Sequence, residues 1–390
     1  MFAFCRRERR QIQRTGKMPK KGVAINMTSY GKNLTVRLFG GSHDSEIGVT
    51  AEGLPAGIRL DRAALSAFLR RRAPGLTPES TERREDDEPI FESGLDGNGV
   101  TDGSTLRAVI RNRDARPDDY SMNPFLPRPS HADYPAYVKS GGTADLRGGG
   151  HYSGRLTAPL CVLGGLLLGE LEMRGIRIGA HVRSIGSVSD RRFDPVAVTA
   201  DDFDAIISHD FPVLDPSTAD PMKAVIRDAK ADGDSVGGVI ECAAIGLPVG
   251  LGESFFDGLE SRIASIVFSI PGVKGVEFGD GFASALLRGS EHNDPYITDG
   301  KTVSTRTNHA GGLCGGLSTG MPLLFSAAVK PTSSIAKEQD TVNLTDMTPA
   351  RLTVRGRHDP CIVPRAVPVV EAAAAIALFD ALLDGEDQEA

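Results

Sequence analysis

Six polar loops in this chain are built from residues that a hydrophobic core would not select. They are Gly40-Gly41-Ser42-His43-Asp44, Arg128 to Tyr134 (RPSHADY), Arg147 to Arg155 (RGGGHYSGR), Thr307 to Gly312 running into Gly315 to Ser318, Lys330 to Ser334 (KPTSS), and Arg355 to Pro360 (RGRHDP). Glycine lets backbone N–H groups approach an anion closely, and serine and threonine hydroxyls add directed donors. Arginine brings a planar fork that suits phosphate and carboxylate. Histidine near neutral pH can give a proton to a leaving group or support developing negative charge. Together the loops describe a site for a ligand with several negative charges. Neither GxxxxGK[ST] nor a GxGxxG turn after a strand occurs, which argues against a P-loop or Rossmann cradle.

Each loop has a plainer explanation when taken singly. A glycine-rich loop is often a simple turn, and Arg70-Arg71-Arg72 at a helix end complements the helix dipole. His151 and His309 serve equally well as structural hydrogen-bonders, and His181, His209 and His292 stand outside the loops without an assigned role. The pairs His43-Asp44, His131 with Asp133, and His358-Asp359 are also ligand types for a metal-dependent phosphoesterase. Nothing in the sequence fixes their spacing.

The elements that must position these loops are mixed. Ile47–Ala51, Leu34–Phe39, Leu106–Arg111, Val236–Ile245 and Leu323–Val329 have strand composition. Asp61 can cap a helix through Arg72 that stops at Ala73-Pro74-Gly75. Pro216–Ala231 and Glu253–Phe268 have helical spacing. Leu160–Met173 and Ala366–Leu383 are apolar on more than one face, as expected of helices buried between other layers. The absence of a βαβ alternation favours α+β layering. A strand, a GLPxG turn and a helix occur twice, at Gly53–Gly57 and Gly246–Gly250. The echo predicts a pseudo-duplicated single domain over residues 27–390, with no linker between its halves.

The bulk composition sets limits. The 390 residues are 40% hydrophobic and 24% charged, with a net charge of −7, which argues against a general nucleic-acid or anionic-membrane surface. Cys5, Cys161, Cys242, Cys314 and Cys361 are odd in number and lack a CxxC pair, fitting buried, reduced thiols in a cytoplasmic protein. The longest apolar run, Leu160 to Leu168, falls short of the roughly 20 residues of a membrane span. Residues 1–26 are expected to be a disordered basic extension without the apolar core of a secretory signal; Met18 and Met27 are alternative starts.

The ordered set of motifs resembles the chorismate synthases, from about Gly31 to Leu383. It runs GGSHD, GLPAG, RRAPG, RPSHADY, DLRGGG, GDSVGG, VKGVEFGDGF, NHAGG, KPTSS and GRHDPC. The resemblance implies conversion of 5-enolpyruvylshikimate 3-phosphate to chorismate by 1,4-elimination of phosphate. It also implies reduced FMN as cofactor, associates NADP with the family, and leaves open a separate flavin reductase. Long helices between two antiparallel sheets and a homotetramer are implied too. By position, His43 resembles the acid that assists phosphate departure, with Ser42 beside it. His131 resembles the residue supporting the charge of reduced flavin, and Asp359 the carboxylate near flavin N5. Arg72 and Arg155 are expected at the substrate. Ser153, Gly315, Lys330, Pro331, Thr332, Ser333, Ser334 and Arg357 match flavin-contacting stretches, and no metal is implied. Asp44 and His151 depart from many relatives, which have glycine and arginine there. Asp44 is expected to weaken anion binding or to raise the pKa of His43. A family member that binds flavin without turnover is therefore an alternative reading.

Overall fold

The computed structural model describes residues 28–75, 87–112, 125–143, 145, 147–354 and 359–386. The extension 1–26 lies outside them. The first half contains β1 (Thr35–Gly40), β2 (Glu46–Glu52), α1 (Arg62–Arg72), β3 (Pro89–Ser93), β4 (Leu106–Arg111), α2 (Asp133–Lys139) and α3 (Thr157–Met173). The second contains β5 (Arg177–Ile185), β6 (Val188–Ser189), α4 (Ala200–Ser208), α5 (Ala219–Ala231), β7 (Gly238–Ile245), α6 (Leu259–Ser269), β8 (Val273–Phe278), β9 (Leu323–Val329) and α7 (Val363–Glu386).

Two larger antiparallel sheets form among the described residues, ordered β1-β2-β4-β3 and β6-β5-β7-β9-β8, beside three short two-stranded hairpins. Helix α3 packs on β2 and β4, α7 packs on β5 and β7, and the two helices pack along each other. The layers are therefore sheet, helix, helix, sheet, as the doubly apolar helices predicted. Close approach needs small residues: a Cβ on Gly164 would lie 2.3 Å from the Cβ of Ala372. The stretches Gly154–Met173 and Val363–Gly385 have the length and apolarity of a membrane span, and the second is 94% buried over its most apolar window. The sandwich interior accounts for that apolarity.

The sequence echo is also an echo of conformation. Gly53 and Gly246 take φ of 84° and 82°, and Gly57 and Gly250 take 105° and 87°, values that favour glycine. Side chains at the first pair would collide with backbone carbonyls, of Asn33 at 2.3 Å and Gly175 at 2.1 Å. The helices that follow differ. Asp61 caps α1 through the N–H groups of Ala63 and Ala64. In the second copy the helix begins at Leu259 rather than Glu253, because Phe255 sits at a left-handed φ of 57° and interrupts it. Cys161, Cys242 and Cys361 are buried as expected, whereas Cys314, at the end of a short hairpin strand, is exposed.

One buried charge cluster runs through the second sheet. His181 on β5 has no exposed surface and lies 3.0 Å from Glu241 on β7 and 3.3 Å from Asp190. Burial lowers the His181 pKa, but the two carboxylates outweigh it and leave it raised. A raised histidine pKa gives stability that is complete below about pH 6.5 and is lost as pH rises through the folded value. His181→Gln is therefore expected to cost about 3–5 kcal/mol at neutral pH. The gap from wild type should narrow on the alkaline side, measured by denaturant unfolding across pH. A gap of constant size would rule out a charged His181.

Candidate active site

Four of the six polar loops, those at Arg128, Arg147, Lys330 and the end of RGRHDP, converge where the end of α1, the segment before α3, the residues after β9 and the start of α7 meet, while the Thr307–Ser318 loop does not reach this place. They enclose a cavity of about 240 Å³. Arg72, His131, Ser153, Arg155, Thr332, Ser333, Ser334 and Asp359, all singled out from sequence, line it. Ile270, Pro271, Ile362 and Val369 add an apolar wall.

The glycine run explains how two histidines reach one place. Gly148, Gly149 and Gly150 take φ of 57°, 96° and 53°. A Cβ on Gly148 would fall 2.3 Å from Cε1 of His43 and 2.9 Å from Oγ of Ser42. A Cβ on Gly149 would fall 3.2 Å from Cε1 of His131. Bare backbone thus lies against both imidazoles. The Ser42 N–H donates to the Gly150 carbonyl at 3.1 Å, and His151 Nδ1 meets the Gly40 carbonyl at 2.9 Å. His151 staples these two loops. Asp44 is exposed, with its carbonyl held by Asn112 at 2.8 Å.

His131 is fixed by its own loop. Its Nδ1 lies 2.8 Å from Oδ1 of Asp133 and 3.1 Å from Nη2 of Arg128. Arg128 donates to both oxygens of Asp133, at 2.7 and 2.8 Å, and to Ser334 at 3.2 Å. Burial raises the Asp133 pKa, but the Arg128 and His131 donors more than reverse it and hold the carboxyl well below its usual range. A metal ion would have to displace a guanidinium from this carboxylate, which counts against the phosphoesterase reading. Lys330 donates to the Ser130 carbonyl at 3.0 Å and to Ser333, so KPTSS is stitched to RPSHADY. Burial, with Lys274 nearby, lowers the Lys330 pKa. Pro331 follows at the edge of β7, where a Cβ on Gly237 would lie 3.0 Å from its Cδ.

Asp87 organises the arginine side. Its carboxylate is wholly buried and pairs with Arg72 Nη1 at 2.7 Å and with Arg155. Arg72 also donates to Thr157 at 3.2 Å and to the Gly154 carbonyl at 3.1 Å, and Arg155 donates to Asn112 at 3.0 Å. On the α7 side, Arg365 pairs with Asp359 and donates to the Arg72 carbonyl at 3.0 Å.

Gly315 stands apart from this assembly. It lies in the turn between Leu313–Cys314 and Leu317–Ser318, where its neighbour Gly316 packs on Gly258 and the Glu253 carbonyl. That is the start of β9, whereas KPTSS follows its end. Arg357 lies outside the described residues. Sequence reasoning did not single out Arg128, Asp87, Asn112, Thr157 or Arg365 for the site. Arg128 and Asp133 both fall within RPSHADY, so that pairing had a visible signal. Asp87 lies within the unbroken charged run from Glu82 to Glu88, which looks like a solvated surface.

A helix-filled double sheet carrying a cavity lined by arginines, a histidine and hydroxyl loops, with a second histidine packed behind its glycine wall, defines an enzyme for phosphorylated, anionic substrates. The chain belongs to the chorismate synthase family, whose model, described as chorismate synthase, matches residues 34–383. It is 45% identical over 368 residues to the chorismate synthase of Lancefieldella parvula, covering 91% of this chain and 96% of that one. It is 45% identical over 353 residues to that of Thermococcus gammatolerans, covering 90% and 97%. A solved structure described as a crystal structure of chorismate synthase superposes with a TM-score of 0.71 at 27% identity, covering 91% of this chain and 93% of that one. The reaction of this family is elimination of phosphate from 5-enolpyruvylshikimate 3-phosphate to give chorismate, and its members need reduced flavin. They are soluble biosynthetic lyases of the shikimate pathway.

The cavity suits a flavin phosphate by its donor chemistry. The Thr332 hydroxyl is buried with no hydrogen-bond partner among the described residues, in a loop that also offers Ser333 and Ser334. A buried hydroxyl left in that state costs free energy unless a ligand satisfies it.

Proposed function

We propose that residues 27–390 act as one catalytic unit that eliminates phosphate from 5-enolpyruvylshikimate 3-phosphate at this cavity, in the cytoplasm, as a homotetramer. The observation that carries the reading is the bare Gly148–Gly149 backbone, against which His43 and His131 both pack, with Gly148 and His131 themselves in the wall of the arginine-lined cavity. Arg72 and Arg155 bind the phosphate and carboxylates, their charge partly balanced by Asp87. Ser42 and His43 face the leaving group, and His43 gives it a proton. Ser153 and the Lys330–Ser334 loop hold the cofactor, with Gly315 and Arg357 as further contacts. The chemistry that reduced FMN would supply when bound here is transient electron donation with no net redox change. His131, oriented by Asp133, supports the negative charge of the reduced ring, and Asp359, held by Arg365, handles a proton at flavin N5.

The test is an anaerobic assay with this substrate, following phosphate release and chorismate absorbance with and without chemically reduced FMN. Product is expected only with reduced FMN and is unaffected by chelator. Flavin binding without product, restored by Asp44→Gly, would instead favour a binding-only protein.

A further inference from the structure

A second and larger cavity lies on the other side of the wall that closes the first. Its volume is about 720 Å³, and it is bounded by the end of α1, the residues after α4, one face of α5 and the first turns of α7. That volume is within the range of roughly 300–1,000 Å³ typical of small-molecule sites. The lining divides by polarity. Ile206, Phe211, Ile226 and Val367 are buried and form an apolar floor. Three cationic side chains, Arg70, Lys223 and Arg227, and two acidic ones, Asp210 and Asp220, stand at the rim. Two wall arginines already have carboxylates: Arg71 is bidentate with Glu371 at 2.7 and 2.8 Å, and Arg365 pairs with Asp359.

We propose that this cavity binds a small amphiphilic organic anion, an apolar ring-sized body bearing one carboxylate, and that its occupancy weakens substrate binding in the first cavity. An apolar floor beneath a cationic rim recognises that chemistry, since the body is desolvated while the charge stays at the arginines and lysine. The floor gives bare phosphate nothing to bury.

The coupling route is a shared wall. Arg70, Arg71 and Arg72 are consecutive in the last turn of α1; the first two line the second cavity and the third lines the first. Arg365 lines both, and it holds Asp359 and the Arg72 carbonyl together. An anion that draws Arg365 towards the second cavity loosens both contacts. Binding rests on this cavity alone; the coupling rests on the function proposed above for the first.

The experiment titrates the full chain with 1-naphthoate by calorimetry, with and without saturating substrate, and with inorganic phosphate as control. Turnover is assayed separately at each naphthoate concentration. Naphthoate is expected to bind once per chain even when substrate is present, and to raise KM without simple competition. The double variant Arg70→Glu/Lys223→Glu should weaken naphthoate at least tenfold and keep the wild-type rate in its absence. Naphthoate displaced fully by substrate and indifferent to the double variant occupies the first cavity, and the proposal fails. No naphthoate binding by wild type, with the double variant altering assembly size, shows the cavity covered by a second copy and equally overturns it. Binding lost in the double variant but without effect on KM retains the site and removes the coupling.

Discussion

Replacing His43 by alanine is expected to lower the rate of phosphate elimination by about 10²–10⁴-fold, the usual contribution of a positioned general acid. The fold should survive the change. His43 is only half-buried, and its loop is held by the Ser42 N–H to Gly150 and by His151 to Gly40, neither of which uses the His43 ring. The melting temperature is therefore expected to stay close to wild type. Alanine also leaves an imidazole-sized gap against Gly148, the residue whose missing Cβ admits the ring. Added imidazole should recover part of the lost rate, which a merely structural role would not allow. His131→Ala is expected to slow turnover comparably, with Arg128 and Asp133 still paired and the loop intact. Its lost rate should not return with imidazole to the same extent, because Arg128 and Asp133 fix that ring's orientation. Near-normal turnover in both variants would end the assignment.

How far the sequence disclosed this site follows from which forces are local. The loops were legible because their glycines, hydroxyls and arginines are misfits in a core, and β4 and β9 were found at their full lengths from composition. The layering was legible because α3 and α7 lack a polar face. β5, by contrast, holds Arg177, His181 and Arg183 within nine residues, a composition that does not read as a strand, and its histidine is tolerated inside only because Asp190 and Glu241 arrive from elsewhere. Helix α7 begins ahead of Ala366 because Pro364 falls in its first turn, where a backbone N–H has no helical partner to lose. The separation of Gly315 from the cavity was illegible for a related reason. The length of β9 sets that distance, and motif order carries no information about it.

Asp87→Asn tests the least legible part of the site. Burial alone would raise the Asp87 pKa, but the charges of Arg72 and Arg155 and their hydrogen bonds prevail and leave it lowered. A lowered carboxyl pKa means that its stabilisation is present above about pH 4 and is lost as pH falls through the folded value. The residue also sits at a left-handed φ of 47°, uncommon for a non-glycine side chain and the kind of strain retained where geometry is needed. Asparagine keeps the shape but removes the charge that lets two guanidiniums share one space. The expected cost is about 3–5 kcal/mol of stability, the range for breaking a buried ion pair. Substrate KM should rise about a hundredfold, roughly 2.7 kcal/mol, because two repelling arginines no longer present a fixed fork. Removing a negative charge also strengthens the local attraction for anions, and the two effects oppose each other. Orientation is expected to prevail for the substrate, whose phosphate and carboxylates must meet both arginines at once. Free phosphate has no such constraint and can take the place of the lost carboxylate. Added phosphate should therefore raise the melting temperature of the variant more than that of wild type, while KM remains high. An unchanged KM with equal phosphate stabilisation would show that Asp87 does not position these arginines.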